Sequence, residues 1–343
     1  MRWKALRSNL VLLAVSIVLS LIIGMILLIG FELLFLRPVW DARWNDLRNQ
    51  QNTEFDPELG WKGIPNRSYY IFTGNISSNS LGGRGEEVDY SKEHILVIGD
   101  SVAWGLDLDD KEAMPYYLNE YMEEEYPRLQ VLNMAVSGYG IDQYYMSLDE
   151  RINLTNPRLI IVVIHTGTDF EDTSKDNAYG RSKPFFAMMD GQLVNLNPAI
   201  SKYSCYNLFA RSRILERFDE DSKMRGLVCG GREHTREETE ELIKRLVAEI
   251  GRIARDHNSG LLFVISPRED DFAKQSYYLS YFRGLFRNSS YDYLDYYGFV
   301  RDTNADPQEL YLKGDMDHYN PEGNRLLAET IFSYIKEKGL LEK

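Results

Sequence analysis

Residues 95–105 read ILVIGDSVAWG, and this stretch decides the expected fold. Four consecutive apolar residues end at Gly99, and the polar pair Asp100-Ser101 follows at once. Continuous apolar runs of this length are typical of strands that are buried on both faces of a sheet. The stretch therefore predicts a buried strand with a polar turn directly after it.

The same pattern recurs along the chain. Val131 and Leu132 lie in a run that ends at Asn133, and Leu159–Ile164 is apolar and rich in β-branched residues. Leu261–Ile265 is a further apolar run, which Ser266-Pro267 ends. A weaker fifth strand is expected near Tyr291–Leu294. Each of these runs is short enough for a strand and too short for a long helix.

Helical patterns separate the strands. Thr235 and Glu238 form a capping-box sequence ahead of a periodic apolar stripe, and Asn320 precedes Pro321 at a second predicted helix start. Alternating strands and helices predict an α/β fold, a three-layer α/β/α sandwich with a mostly parallel sheet of about five strands. Ligands of such sheets bind at the carboxyl ends of the strands, so residues just after strands are the candidates for chemistry.

The N-terminal region differs in kind. Residues 10–36 are almost entirely apolar, long enough for one transmembrane helix after a short tail at 1–9. A cleaved signal peptide has a shorter apolar region and an A-x-A-like site, which is absent here, so we expect an uncleaved anchor. Basic residues flank the segment on both sides, and the tail's Arg2, Lys4 and Arg7 favour a cytoplasmic N-terminus. We therefore expect a single-pass membrane protein with an extracytoplasmic domain.

The remaining chain divides into a juxtamembrane linker at 37–55 and a domain at 56–343. Residues 171–232 lack clear periodicity, and we interpret them as an insertion. Cys205 and Cys229 are the two cysteines, and either one disulfide or two unrelated thiols fits the sequence.

Composition and motifs exclude several functions. The formal net charge of -13 argues against a nucleic-acid partner and against a broad basic lipid-binding patch. No HExxH, GxxxxGK[ST], EF-hand loop or strand-linked GxGxxG occurs, and no CxxC pair is present. Neither a metal nor a nucleotide cofactor is indicated.

Ser101 and His318 are the candidate catalytic pair. A serine hydroxyl needs a base to become a nucleophile, and the base needs an orienting group. Of five histidines only His318 follows an aspartate by three residues, Asp315, and it stands on a loop before a helix start. Asp317 is a rival for the orienting role. By themselves, a turn serine and a surface histidine fit the same residues.

Two more polar segments follow strands. Residues 133–140, NMAVSGYG, contain Gly138, whose backbone N–H could approach a reacting carbonyl. Residues 165–169, HTGTD, contain Thr168. An ordinary glycine turn and a helix-capping turn are the plainer interpretations of these two segments.

Together, the four ordered segments resemble the SGNH hydrolase superfamily, also called GDSL-like esterases. The resemblance extends from about residue 56 to 335 and implies a flavodoxin-like sheet. It assigns Ser101 as the nucleophile, Asp315 and His318 as its activating pair, and Ser101, Gly138 and the position of Thr168 as the oxyanion hole.

The chain departs from the family at Thr168. There the family has an asparagine whose side-chain amide donates to the oxyanion. Losing one oxyanion donor typically lowers the rate about 100- to 1,000-fold. A Thr168→Asn substitution should therefore raise activity if the hole is merely weakened.

The sequence thus predicts a membrane-anchored serine esterase acting on O-acylated carbohydrate or small carboxylic esters. Two alternatives stay open: an O-acyltransferase of cell-surface glycans, and an SGNH-fold binding protein with impaired catalysis.

Overall fold

The structure is a computed structural model that describes residues 2–36, 52–71, 73–201, 204–206, 228–303 and 305–342. The described residues fall into two compact units. One contains residues 2–36, 204–206 and 228–230, and the other contains the remaining described residues from 52 onward.

A five-stranded sheet organises the larger unit. Numbered along the chain, its five strands lie side by side in the order 5-4-3-1-2, and every neighbouring pair is parallel. The predicted parallel α/β sheet is therefore confirmed, including the fifth strand. The strands are β5 (Glu93–Ile98), β6 (Leu129–Asn133), β7 (Leu159–His165), β12 (Gly260–Ser266) and β13 (Asp292–Asp295).

Successive residues of each strand pack alternately into two separate hydrophobic cores, one on each face of the sheet. Ile98 and Val162 pack in the core on one face, whereas Val97 and Val163 pack in the core on the other. Helices cover both cores, so the predicted three-layer arrangement is present. The helices of this unit are α2 (Ser101–Trp104), α3 (Met114–Glu125), α4 (Ile141–Thr155), α5 (Asp169–Ser174), α6 (Arg236–Asp256), α7 (Tyr277–Arg287), α8 (Tyr296–Thr303) and α9 (Pro321–Lys338).

The predicted helix starts are also present. Thr235 caps α6, and its capping box with Glu238 is formed in both directions. Asn320 accepts a hydrogen bond from the Gly323 N–H at the start of α9. Short 3-10 turns at Asp110–Glu112, Glu269–Phe272 and Pro307–Glu309 complete the connections.

Small antiparallel hairpins lie outside the main sheet. Two of them occupy the segment 171–232, which was predicted as an insertion; residues 202–203 and 207–227 of it lie outside the described range. The hairpins pair β1 (Thr53–Asp56) with β2 (Gly60–Gly63), β3 (Ser68–Ile71) with β4 (Gly74–Ser77), β8 (Asn177–Ala178) with β9 (Arg181–Ser182), and β10 (Phe186–Met189) with β11 (Gln192–Asn195). Strand β1 begins inside the predicted linker 37–55, of which residues 37–51 are not described.

The smaller unit holds the N-terminal helix and the two cysteines. Helix α1 runs from Arg2 to Phe31, and a π-helical turn, Glu32–Leu36, continues it. Its segment Val11–Phe31 has the length and apolar composition to cross a membrane, which fits either an anchor or a signal sequence. Cys205 and Cys229 form a disulfide, which decides between the two possibilities that the sequence left open.

A buried ion pair ties the β8–β9 hairpin to the sheet's helices. Lys183, directly after β9, is fully buried, and its ammonium contacts the carboxylate of Asp142 in the first turn of α4. The ammonium also donates to the carbonyl of Asp172 at 2.9 Å. Because a buried charge is costly without a partner, these contacts fix the hairpin against α4 and against α5, the helix that contains Asp172.

Replacing Lys183 by methionine should therefore destabilise the domain strongly. Removal of one partner leaves the Asp142 carboxylate buried and unpaired, and the expected loss is about 3–5 kcal/mol in the free energy of unfolding. Urea unfolding of the full-length protein, followed by tryptophan fluorescence, measures this loss. Lys175→Met is the matched control, since Lys175 pairs with Glu171 at the surface and should change stability by less than about 1 kcal/mol. Equal losses in the two variants would contradict this role of the buried pair.

Candidate active site

Three strand ends bring the predicted site residues to one edge of the sheet. Ser101 follows β5, Gly138 follows the neighbouring strand β6, and Thr168 follows β7 on the other side of β5. The chain reverses its direction of winding at β5, and α/β sheets bind ligands at such a point.

Ser101 is the first residue of the short helix α2. Asp100 caps this helix by accepting a hydrogen bond from the Val102 N–H at 2.9 Å. The other end of the helix is held by Arg84, whose buried guanidinium donates to the carbonyl of Trp104 at 2.9 Å and lies over the Trp104 ring. The serine therefore sits on a turn that is braced at both ends.

His318 lies within hydrogen-bond distance of both predicted partners. Its Nε2 is 2.8 Å from Ser101 Oγ, and its Nδ1 is 2.7 Å from Asp315 Oδ2. A carboxylate accepts only, so Nδ1 carries the proton and donates to Asp315. Nε2 is then free to accept the Ser101 hydroxyl proton. The structure thus joins residues 217 positions apart into one hydrogen-bonded chain.

The Asp315 carboxylate is held in its ionised form. Its Oδ1 accepts the backbone N–H groups of Asp317 at 2.8 Å and of His318 at 3.2 Å. Partial burial raises the pKa of Asp315, but these hydrogen bonds and the one from the His318 ring outweigh it, so the pKa lies below its ordinary value. An ionised Asp315 can orient the imidazole and stabilise its positive charge.

Asp317, the rival predicted for that role, contacts a different histidine. Its Oδ1 lies 3.1 Å from Nε2 of the buried His165 and 3.2 Å from Nε of Arg268. Gly167 permits this approach, since a Cβ there would stand 2.5 Å from both the Asp317 oxygen and the His165 ring. The loop that carries His318 is therefore anchored to the end of β7 by a second Asp–His pair.

Gly138 adopts a backbone conformation that few other residues could adopt without strain. Its φ of +80° lies in the left-handed region that favours glycine. The preceding carbonyl, of Ser137, accepts a hydrogen bond from the Trp61 indole at 3.1 Å, which fixes the turn. The ring of Tyr179 occupies the space that a side chain at position 138 would need.

The Thr168 hydroxyl is already engaged. It donates to Asp100 Oδ2 at 3.3 Å, on the cap of the serine helix. Thr168 is also the residue before α5, but its side chain makes no capping hydrogen bond. The side chain therefore links β7 to the serine turn.

Several residues beside the site carried no recognisable signal in the sequence. Arg84 and Lys183 resemble ordinary surface cations there, and only their burial reveals what they hold. Tyr179 belongs to the segment expected to be an insertion. Within the described ranges, no group of three or more His, Cys, Asp or Glu residues is arranged to hold a metal ion.

Solved structures similar to this chain include TesA and two esterases. TesA is 13% identical with a TM-score of 0.43, and the match covers 71% of this chain and 99% of TesA. Axe2, an acetylxylan esterase from Geobacillus stearothermophilus, is 13% identical with a TM-score of 0.42 and coverages of 71% and 94%. The esterase EstA from Pseudoalteromonas sp. is 12% identical with a TM-score of 0.42 and coverages of 72% and 98%.

These matches concern the fold alone. No family model matches the sequence, and no curated protein matches it. The chemistry that the site can perform follows from the contacts of Ser101, His318 and Asp315 themselves.

The pair His165–Asp317 should stabilise the protein most in mildly acidic solution. Burial lowers the pKa of His165, but the hydrogen bond to Asp317, the charge of Asp100 and the charge of Asp317 outweigh burial, so the pKa lies above its ordinary 6.5. The hydrogen bond to His165 lowers the pKa of Asp317 below its ordinary 3.8 despite burial. The contribution of His165 to stability is complete below pH 6.5 and is lost as pH rises through its raised pKa. The contribution of Asp317 is present above pH 3.8 and is lost as pH falls through its lowered pKa.

Asp317→Asn should consequently lower the melting temperature most between about pH 4 and 6.5, and less at higher pH. Thermal unfolding across a pH series measures this difference. Asp302→Asn is the control, because the Asp302 side chain is 75% exposed beside Arg301. A loss of stability in Asp317→Asn that does not vary with pH would argue against the ion pair.

Proposed function

We propose that this protein is a membrane-anchored serine esterase that works through an acyl-serine intermediate. The observation that carries the proposal is the chain of hydrogen bonds from Ser101 Oγ to His318 Nε2 and from His318 Nδ1 to Asp315, at 2.8 and 2.7 Å. Nucleophile, base and orienting acid at such distances are the signature of serine hydrolases on unrelated folds.

In the first half-reaction Ser101 Oγ attacks the ester carbonyl while its proton passes to His318 Nε2. The carbon–oxygen bond to the alcohol then breaks, and the alcohol leaves with that proton. Asp315 keeps the imidazole in the required tautomer and stabilises its charge. In the second half-reaction a water loses a proton to His318 and attacks the acyl-serine, which releases the carboxylic acid and restores the serine.

The oxyanion of each tetrahedral intermediate needs donors that are aimed at it beforehand. The backbone N–H groups of Ser101 and Gly138 are the proposed donors, since both follow strand ends beside the nucleophile. Thr168 is a weak third candidate, because its hydroxyl donates to Asp100.

The substrate class in this proposal is an O-acylated carbohydrate or a small carboxylic ester, as the motif resemblance implies. The N-terminal helix Val11–Phe31 supports anchoring in a membrane. The disulfide between Cys205 and Cys229 supports a location outside the cytoplasm, where such bonds form and persist.

Labelling with a fluorophosphonate probe tests the proposal without requiring the true substrate. The full-length protein in detergent should form a covalent adduct, because the His318-activated serine attacks phosphorus as it would a carbonyl carbon. Gel fluorescence and mass measurement of the adduct report the reaction. Ser101→Ala should abolish labelling, and His318→Ala should reduce it to background.

Ser91→Ala is the matched control, since Ser91 is an exposed serine whose hydroxyl donates to Asp89. Its labelling should equal that of the wild type. A wild-type protein that unfolds cooperatively but does not label would overturn the esterase proposal and favour a ligand-binding role.

The two aspartates of the loop allow a second test, on catalysis. Asp315→Asn should lower kcat for a p-nitrophenyl ester by about 10⁴-fold, since the imidazole loses the acceptor that sets its tautomer. Asp317→Asn should cost far less, because Asp317 contacts His165 instead of His318. Steady-state kinetics of both variants decide the matter. Equal losses would mean that the loop as a whole, and not the Asp315 carboxylate, supports activity.

A further inference from the structure

The tip of the β8–β9 hairpin holds a tyrosine in a conformation that tyrosine rarely adopts. Ala178 pairs with Arg181, so Tyr179 and Gly180 form a two-residue turn with φ values of +50° and +75°. Turns of this kind ordinarily take glycine, asparagine or aspartate at both positions. A bulky residue at positive φ is strained, and strained backbone clusters at functional sites.

Burial of the ring does not compensate for this strain. The Tyr179 side chain remains 62% exposed, so little apolar surface is withdrawn from water. The conformation instead places the ring beside the candidate active site. Ring carbons Cδ2 and Cε2 lie 2.7 and 2.8 Å from where a Cβ on Gly138 would stand.

The phenol hydroxyl contacts the helix that begins after Thr168. It is borne by the carbon next to Cε2, and it donates to Asp172 Oδ2 at 3.1 Å. Asp172 is four residues after Thr168, and its N–H donates to the Thr168 carbonyl at 2.8 Å, so the two residues are one helical turn apart. Tyr179 therefore bridges Gly138 and the helix that begins after Thr168.

The hairpin is held firmly enough to place this hydroxyl. The buried Lys183 ammonium joins it to Asp142 on α4 and to the Asp172 carbonyl on α5. These two helices follow the strand-end segments that carry Gly138 and Thr168. A donor serves catalysis only when its support is rigid, and the ion pair supplies that support.

Protonation of the Asp172 carboxyl would free the phenol O–H from its present acceptor. Burial raises the pKa of Asp172 to about 7, and the carboxylates of Asp100 and Asp142 also raise it. Lys183 and the hydrogen bond from the Tyr179 hydroxyl act in the opposite direction. Near neutral pH a large share of the molecules therefore carries a protonated Asp172. A protonated carboxyl donates to the phenol oxygen, which leaves the phenol O–H free to donate elsewhere.

We propose that the Tyr179 hydroxyl is the third donor to the oxyanion, in place of the side-chain amide that Thr168 lacks. The inference rests on the proposed esterase function. It explains how the site can stabilise a tetrahedral intermediate although the Thr168 hydroxyl is turned toward Asp100.

Tyr179→Phe tests the proposal, since it keeps the ring against Gly138 and removes only the hydroxyl. We expect kcat for a p-nitrophenyl ester to fall about 10- to 100-fold with KM within about twofold, because the oxyanion exists only in the transition state. Tyr90→Phe is the matched control: Tyr90 is 64% exposed and precedes β5, at the opposite end of the sheet, and should leave kcat unchanged.

A double-mutant cycle with Thr168→Asn separates catalysis from mere structural support. An asparagine amide performs the task assigned to the phenol, so Thr168→Asn should raise kcat several-fold more in the Tyr179→Phe protein than in the wild type. A structural role would give a lower melting temperature and no such rescue.

The outcomes distinguish a failure of the Tyr179 proposal from a failure of the esterase proposal. If the wild type labels with the fluorophosphonate but Tyr179→Phe keeps its kcat, or loses it without rescue by Thr168→Asn, the Tyr179 proposal is overturned and the esterase proposal stands. If the wild type neither labels nor turns over an ester, both are overturned.

Discussion

The structure depends on the burial of β5 between β6 and β7. All three strands are parallel and are covered on both faces, so each must end where the chain can leave the interior. The first polar residues after each strand consequently meet at one edge. This constraint, and not any direct attraction among the side chains, gathers Ser101, Gly138 and Thr168 from segments scattered over the sequence.

The fourth segment reaches the same edge by another route. The loop with Asp315 and His318 does not follow a strand directly; it lies between α8 and α9, ahead of the Asn320 cap. Two Asp–His pairs define its position. One orients the imidazole toward Ser101, and the other fastens the loop to His165 at the end of β7. Asp315 and Asp317 thus have different roles: Asp315 orients the imidazole, and Asp317 holds the loop in place.

Much of this arrangement was predictable because local patterns encode it. The apolar runs indicated all five strands, and the spacing of Asp315 and His318 indicated their contact. The rest depends on tertiary packing. Nothing local distinguishes the buried Lys183 from a surface lysine, and the direction of the Thr168 hydroxyl follows from Asp100, which is 68 positions away. The contact of Tyr179 with Gly138 likewise joins two segments with no shared pattern.

The left-handed conformation of Tyr179 has an evolutionary consequence. Asparagine or glycine would relax that turn, so selection for heat resistance alone would favour them there, while selection on turnover would keep the aromatic hydroxyl. Position 179 is thus a place where the two pressures oppose each other. Sequences from hot and cold habitats that share this hairpin would be expected to divide at this residue, and the division would reveal which pressure had prevailed in each lineage.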